Sequence, residues 1–204
     1  MDIISARGLA VGYGKEEVLR DLSFGIPEGR ITVVLGVSGS GKSTLLKTLA
    51  GLLAPLGGGF DFAGAPVDYG SEASLRLLYR KIGVLYQGGA LLNGLTLAEN
   101  VALPIRMHYP EMPEDMVRDM VHAGLAQVEM ADAAAKYPAE LSGGMRKRGA
   151  LARALALDPD VVFCDEPSSG LDPITSSLLD DLLLRLKDTF GMTLVVVTHE
   201  LRSI

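Results

Sequence analysis

Residues 36–44 read GVSGSGKST. The spacing G-x-x-x-x-G-K-[ST] belongs to loops whose backbone N–H groups converge on phosphate oxygens. Gly36, Ser38, Gly39, Ser40 and Gly41 offer a backbone with little side-chain obstruction, and a helix expected from Lys42 adds its first-turn donors. Lys42 is spaced to reach the β- and γ-phosphates. The Ser43 hydroxyl, followed by Thr44, is placed to ligate Mg²⁺. The chemistry implied is binding of a nucleoside triphosphate such as ATP with its magnesium ion.

A second chemical element is DVVFCDEP at 160–167. An apolar strand ends there in two carboxylates, where open α/β sheets hold their ligands. Asp165 is the natural direct or water-mediated Mg²⁺ partner, and Glu166 could orient and deprotonate an attacking water. Alone, the pair would read as an acidic turn before Pro167; beside a phosphate loop it implies hydrolysis. Gln87, after IGVLY, and His199, after LVVVT, stand at the ends of two further apolar runs. A polar amide at Gln87 suits Mg²⁺ or water contact, and an imidazole at His199 suits the γ-phosphate or the water. His108 and His122 fall in helical segments and read as structural.

A third element, LSGGMRKRGALARALAL at 141–157, places Ser142, Gly143 and Gly144 before a helical run. A Ser hydroxyl and free first-turn N–H groups make an anion site. Arg146, Lys147 and Arg148 follow at once, although basic residues at a helix start oppose the macrodipole. They would either assist the anion electrostatically or face water.

These residues need a scaffold. Residues 1–30 alternate and are punctuated by glycine, which predicts two or three antiparallel strands. ITVVL, IGVLYQ, DVVFCD and MTLVVVTHE are continuous apolar runs, the pattern of strands buried on both faces. Helices are expected from Lys42 to a stop at 51–55, at about 72–80, through much of 95–157 with proline breaks at 104, 110, 113 and 138, and over 176–190. Short strands are expected within 57–70. Strands alternating with helices predict an α/β fold with a mainly parallel core sheet, an N-terminal antiparallel β subdomain and an inserted helical subdomain over approximately 88–157.

With 204 residues, 48% of them hydrophobic, the chain is sized for one domain. A net charge of −6 argues against nucleic acid as a partner. One cysteine, Cys164, suits a reducing compartment. No secretory leader and no apolar run of membrane-spanning length is visible. The expected location is therefore cytoplasmic, peripheral to a membrane only through a partner.

Taken together, GVSGSGKST, VLYQ, LSGGM, VVFCDE, SSGLD and VTHE resemble, in their order, the diagnostic motifs of the ATP-binding cassette family, the nucleotide-binding subunits of ABC transporters. The likeness covers essentially all of 1–204. It implies that Tyr13 stacks on adenine. It also implies that two copies face head to tail, each ATP lying between the phosphate loop of one and Ser142, Gly143 and Gly144 of the other. Asp172 would sit at the dimer contact, Glu166 would drive hydrolysis, and residues 88–110 would couple to a membrane permease on the cytoplasmic face of the inner or plasma membrane. Met145, where most family members carry Gln, and the surrounding residues look most like the ATPases of MCE-linked, Mla-type phospholipid transporters. That adds an MCE-domain substrate-binding protein as a further partner. Another substrate, such as amino acids or lipoproteins, stays open, as do a non-transport cassette and a binding-only one. Family members usually continue past the histidine of VTHE, here His199, so the resemblance implies a body that is short at its C-terminal end.

Overall fold

The computed structural model of the chain describes residues 1–199. Glu200, the last residue of the VTHE motif, and residues 201–204 lie outside the described residues. In chain order the strands are β1 (Asp2–Tyr13), β2 (Glu16–Pro27), β3 (Ile31–Leu35), β4 (Gly57–Phe62), β5 (Ala65–Pro66), β6 (Ile82–Leu85), β7 (Val161–Asp165) and β8 (Thr193–Thr198). The helices are α1 (Lys42–Leu49), α2 (Glu72–Lys81), α3 (Leu97–His108), α4 (Glu114–Gln127), α5 (Gly143–Leu155) and α6 (Pro173–Phe190).

Two sheets form. β2-β1-β4-β5 is antiparallel throughout, and β3-β8-β7-β6 is parallel throughout. The register of the parallel sheet aligns Leu35 with Thr198, Asp165 with Val197, and Leu85 with Cys164. The carboxyl ends of all four strands therefore meet at one edge, with the phosphate loop, Gln87, Glu166 and His199 each just beyond a strand end.

The continuous apolar runs are explained by two cores, one on each face of this sheet. Val161, Phe163, Val195 and Val197 face α1 and the antiparallel sheet, packing with Ile4, Leu9, Ile26, Leu46 and Phe60. Val162, Cys164, Leu194 and Val196 face the other way, toward Leu97, Ile105, Leu125 and Leu151 from α3, α4 and α5 and toward Leu182 from α6. Alternation along a strand sends successive side chains to opposite faces, so both sets must be apolar. Helices α3 to α5, between β6 and β7 in the chain, share their core with the sheet.

Two boundaries differ from the expectations. Pro104 lies inside α3 rather than breaking it. A helix-interior proline loses an amide bond and crowds the carbonyl four residues back, typically at about 3 kcal/mol. Here Asn100, four residues back and fully buried, pins the helix start: its amide donates to the carbonyls of Leu92, Leu95 and Thr96 at 3.0–3.2 Å, and its Oδ1 accepts from the Leu92 N–H at 2.7 Å. A capping box between Thr96 and Glu99 adds to this hold. Helix α6 begins at Pro173 instead of 176, because Asp172 caps it by accepting from the N–H groups of Ile174 and Thr175 at 3.1 Å.

Candidate nucleotide-binding and hydrolytic site

The loop from 36 to 41 crosses from β3 to α1. Gly39 and Gly41 sit at φ +80° and +93°, where side chains are strained. A Cβ at Gly41 would also fall 2.6 Å from Val18 Cγ1 and 2.9 Å from Leu19 Cγ, so β2 presses directly on the loop. Gly41 caps α1 without any side-chain hydrogen bond, which leaves the first-turn N–H groups open to a ligand. Lys42 is 8% exposed and its ammonium folds over the loop, donating to the carbonyls of Gly36 at 2.6 Å and Val37 at 2.8 Å. Tyr13, at the end of β1, is half exposed beside Thr44 and Lys47. A hydrogen bond with the Thr44 side chain, helped by Lys47, holds its phenol below the usual range. A cradle with open donors, a cation and an exposed aromatic ring fits a nucleoside triphosphate.

Across the edge, the Ser43 hydroxyl donates to Asp165 Oδ1 at 3.1 Å. Burial pushes the Asp165 carboxyl above its ordinary range, and the Ser43 bond opposes that shift. Among the described residues no group of three or more His, Cys, Asp and Glu gathers to hold a metal. A magnesium ion would thus find Ser43 and Asp165 as its protein-side oxygens, hard donors that suit it, and take the rest from phosphates and water.

Glu166 is held from four directions. Its backbone lies at φ +46°, a left-handed conformation costing a non-glycine residue about 1–2 kcal/mol. Its N–H donates to the Val197 carbonyl at 2.8 Å. Its carboxylate is paired with His199 Nδ1 at 2.8 Å and accepts from Gln87 Nε2 at 3.1 Å. Its carbonyl accepts from Lys147 Nζ at 3.3 Å. The Gln87 amide also reaches Ser169 Oγ at 3.3 Å, so here it serves Glu166 and not the Ser43–Asp165 pair. Strain kept at a residue so closely surrounded is the usual mark of a functional position.

Ser142 caps α5 by accepting from the Met145 N–H at 3.2 Å, while Gly143 and Gly144 supply first-turn N–H groups without intrahelical acceptors. A Cβ at Gly144 would fall 2.5 Å from Thr175 Cγ2, so this turn rests on the start of α6. The following cations are committed within the chain. Arg146 donates to the Leu141 carbonyl at 2.7 Å, and Arg148 pairs with Glu129 at 3.2 Å. Lys147 is 5% exposed and donates to the carbonyls of Gln87 and Glu166. Of the three, Lys147 is withdrawn from the surface and Arg148 has a carboxylate partner, while Arg146 stays exposed beside the turn.

The fold thus brings together Ser43, Asp165, Gln87, Glu166 and His199 at one sheet edge. It keeps the Ser142–Gly144 turn apart, resting on α6 and joined to the phosphate loop by no described hydrogen bond. His108 ends α3 and His122 lies within α4. Two residues named in the sequence take structural roles not read from it: Asp172 as the cap of α6 and Lys147 as a donor to the Gln87 and Glu166 carbonyls. Asp172-Pro173 carries the cap-and-proline signal of a helix start, which could have placed α6 correctly. Lys147 had no such signal, because its role depends on which carbonyls fold up to it.

The ABC transporter family model matches residues 19–169. The chain is 40% identical over 198 residues to "Probable ribonucleotide transport ATP-binding protein mkl" of Mycobacterium tuberculosis, with 97% of this chain and 55% of that protein aligned. The chain therefore spans about half the length of these curated relatives. It is 38% identical over 203 residues to "Intermembrane phospholipid transport system ATP-binding protein MlaF" of Haemophilus influenzae, covering 100% of this chain and 76% of the relative. Among solved structures, the dimeric post-hydrolysis state of the ATP-binding cassette MJ0796 bound to ADP and Pi superposes with a TM-score of 0.87 at 32% identity, over 98% of this chain and 89% of that one. No helix among the described residues is long and apolar enough to cross a membrane. By the family match, the relatives and the fold, this chain belongs to the ABC transporter family.

Proposed function

We propose that this chain is the ATP-hydrolysing subunit of a phospholipid transporter of the MCE/Mla type, working as a head-to-tail dimer beneath a membrane permease. One observation carries the hydrolytic reading. The Glu166 carboxylate is held between His199 and Gln87, one residue past an Asp165 that is bonded to Ser43 of the phosphate loop. A base so placed can take the proton of a water presented to a phosphate in the loop.

In this reading residues 1–204 are one cassette, with 88–157 its helical subdomain. Tyr13 stacks on adenine, and Gly36, Ser38, Gly39, Ser40, Gly41, Lys42, Ser43 and Thr44 hold the phosphates. Mg²⁺, when bound, neutralises charge that develops on the transferred phosphoryl group. The protein supplies Ser43, Asp165 and, through water, Gln87 around it. Ser142, Gly143 and Gly144 close over the nucleotide of the second copy, and Asp172 lies at the contact between copies. The dimeric MJ0796 cassette supports such an arrangement. A groove of about 330 Å³ lined by Tyr79, Tyr86, Leu103, Pro104, Met107 and Arg153 supports docking of a permease on the 88–110 face. With such a partner the subunit sits on the cytoplasmic side of the membrane.

The phospholipid assignment rests on the MlaF relative, three quarters of whose length this chain covers. A ribonucleotide substrate is the second reading, favoured by the name of the mycobacterial relative. Two measurements decide. Glu166→Gln should keep ATP affinity within about twofold, lower turnover by about 100-fold or more, and elute as a dimer with saturating ATP and Mg²⁺. A monomer under those conditions rejects the shared-site reading. In the assembled transporter, ATPase stimulation by phospholipid but not by ribonucleotide supports the lipid assignment, and the reverse pattern overturns it.

A further inference from the structure

We propose that Lys147 is a positioning residue of the hydrolytic site: a buried ammonium on α5 that clamps together the two loop backbones carrying Gln87 and Glu166. The inference rests on the hydrolytic reading above and adds a part to it. Three observations lead to it.

Lys147 alone among its basic neighbours is buried, at 5% exposure, while Arg146 is exposed and Arg148 half-buried. A lysine is rarely withdrawn from water without acceptors that need it. Its acceptors are the backbone carbonyls of Gln87 and, at 3.3 Å, of Glu166, residues that follow β6 and β7. The side chains of these same two residues meet each other at 3.1 Å. One ammonium therefore holds from behind the two backbones whose side chains meet in front.

The second observation is the geometry of Glu166. Its left-handed backbone leaves a carbonyl that points away from the sheet ladder while its N–H joins the ladder through Val197. That carbonyl takes the Ser169 N–H at 3.1 Å and the Lys147 ammonium at 3.3 Å. Removing the ammonium leaves only the turn bond to keep the peptide in its orientation. The direction of the carboxylate is tied to that peptide.

The third is the attachment of the helix itself. From the other end of α5, Arg153 donates to the carbonyls of Gly89 at 3.0 Å and Ala90 at 2.7 Å. The loop after β6 is thus fastened to α5 at two places. Lys147 is the only one of the two fastenings that also reaches the base-bearing loop. A rotation of α5 that moved the Ser142–Gly144 turn would be transmitted through Lys147 to Gln87 and Glu166.

The test uses the full-length subunit and three forms: parent, Lys147→Met, which keeps the stem and loses the donors, and Lys147→Gln, which restores a neutral donor. Lys147→Met should lower kcat for ATP by about tenfold or more with KM within twofold, and Lys147→Gln should recover part of kcat. Hydrogen exchange without nucleotide should show faster uptake at the Gly89 and Ser169 amides in Lys147→Met, with the α5 amides unchanged. A kcat within twofold of the parent, a fall in kcat matched by a rise in KM, or unchanged exchange at those two amides would overturn the proposal. Glu166→Gln run alongside separates the two claims: if it hydrolyses ATP like the parent, the hydrolytic reading fails, whereas the exchange result judges the clamp on its own.

Discussion

The chain has two helix starts that look built for an anion, and they are built differently. At the start of α1 the cap is Gly41, left-handed and without a side-chain bond, and a buried lysine lies over the loop. At the start of α5 the cap is Ser142, whose hydroxyl already accepts from Met145; of the cations that follow, Lys147 and Arg148 turn to Gln87 and Glu129, and exposed Arg146 turns to the Leu141 carbonyl. The first is a cradle with its own counter-charge. The second offers two N–H groups and no buried cation folded over its turn. The difference teaches that open first-turn N–H groups do not by themselves make two helix starts alike: a buried ammonium folded over its own loop marks the first. On the proposed function, the second is the lid of a site whose charge comes from another copy.

The sharpest way to break this comparison is nucleotide binding by the monomer. Lys42→Ala should weaken ATP binding about 100-fold, the loss expected for a charge-assisted contact to phosphate. Ser142→Ala should leave the monomer's affinity within about twofold. Equal losses in an equilibrium titration would mean that both starts bind the same nucleotide.

A second contrast lies in the glycines. Gly41→Ala meets both a positive φ and Val18 Cγ1 at 2.6 Å, so a loss of about 2–4 kcal/mol in urea unfolding is expected. Gly144→Ala meets only Thr175 Cγ2 at 2.5 Å, and about 1–3 kcal/mol is expected. Adding Thr175→Ser, which removes that methyl and keeps the hydroxyl, should recover most of the second loss and none of the first. Relief of neither would show that the signature turn is not seated on α6.

The smallest effect concerns the brace beneath that turn. The Thr175 hydroxyl, followed by backbone N–H bonds, holds the Asp172 carboxyl below its ordinary range. Because the folded value is the lower one, the ionised cap favours folding at neutral pH. That contribution disappears as pH falls through the unfolded value of about 3.9 and then the folded one. The melting temperature of Asp172→Asn should lie slightly under the parent's at pH 7 and meet it once the pH has fallen through the folded value. A gap that persists in acid would mean that charge has no part in the brace.

Much of the site could be read before any fold was known. GVSGSGKST, DVVFCDE and the Ser-Gly-Gly turn each depend on a few adjacent residues, and their strands and helices follow from local apolar pattern. Pro104 misled because a proline's local cost was offset by Asn100 and its bonds to the preceding loop. Arg148 could not be assigned because its acceptor, Glu129, becomes a neighbour only when the helices pack.

Residue order alone was enough for the phosphate loop, the paired carboxylates at a strand end and the two-faced apolar strands, since each is a matter of spacing within about ten residues. Tertiary structure decided the strand order β3-β8-β7-β6, which gathers residues 43, 87, 166 and 199 at one edge. It also decided that Glu166 would have His199 and Gln87 as partners and that Lys147 would be buried. The physical reason is distance along the chain: Ser43 meets Asp165 across 122 positions, and Lys147 meets Gln87 across 60. No local preference specifies such meetings; the closing of both cores does.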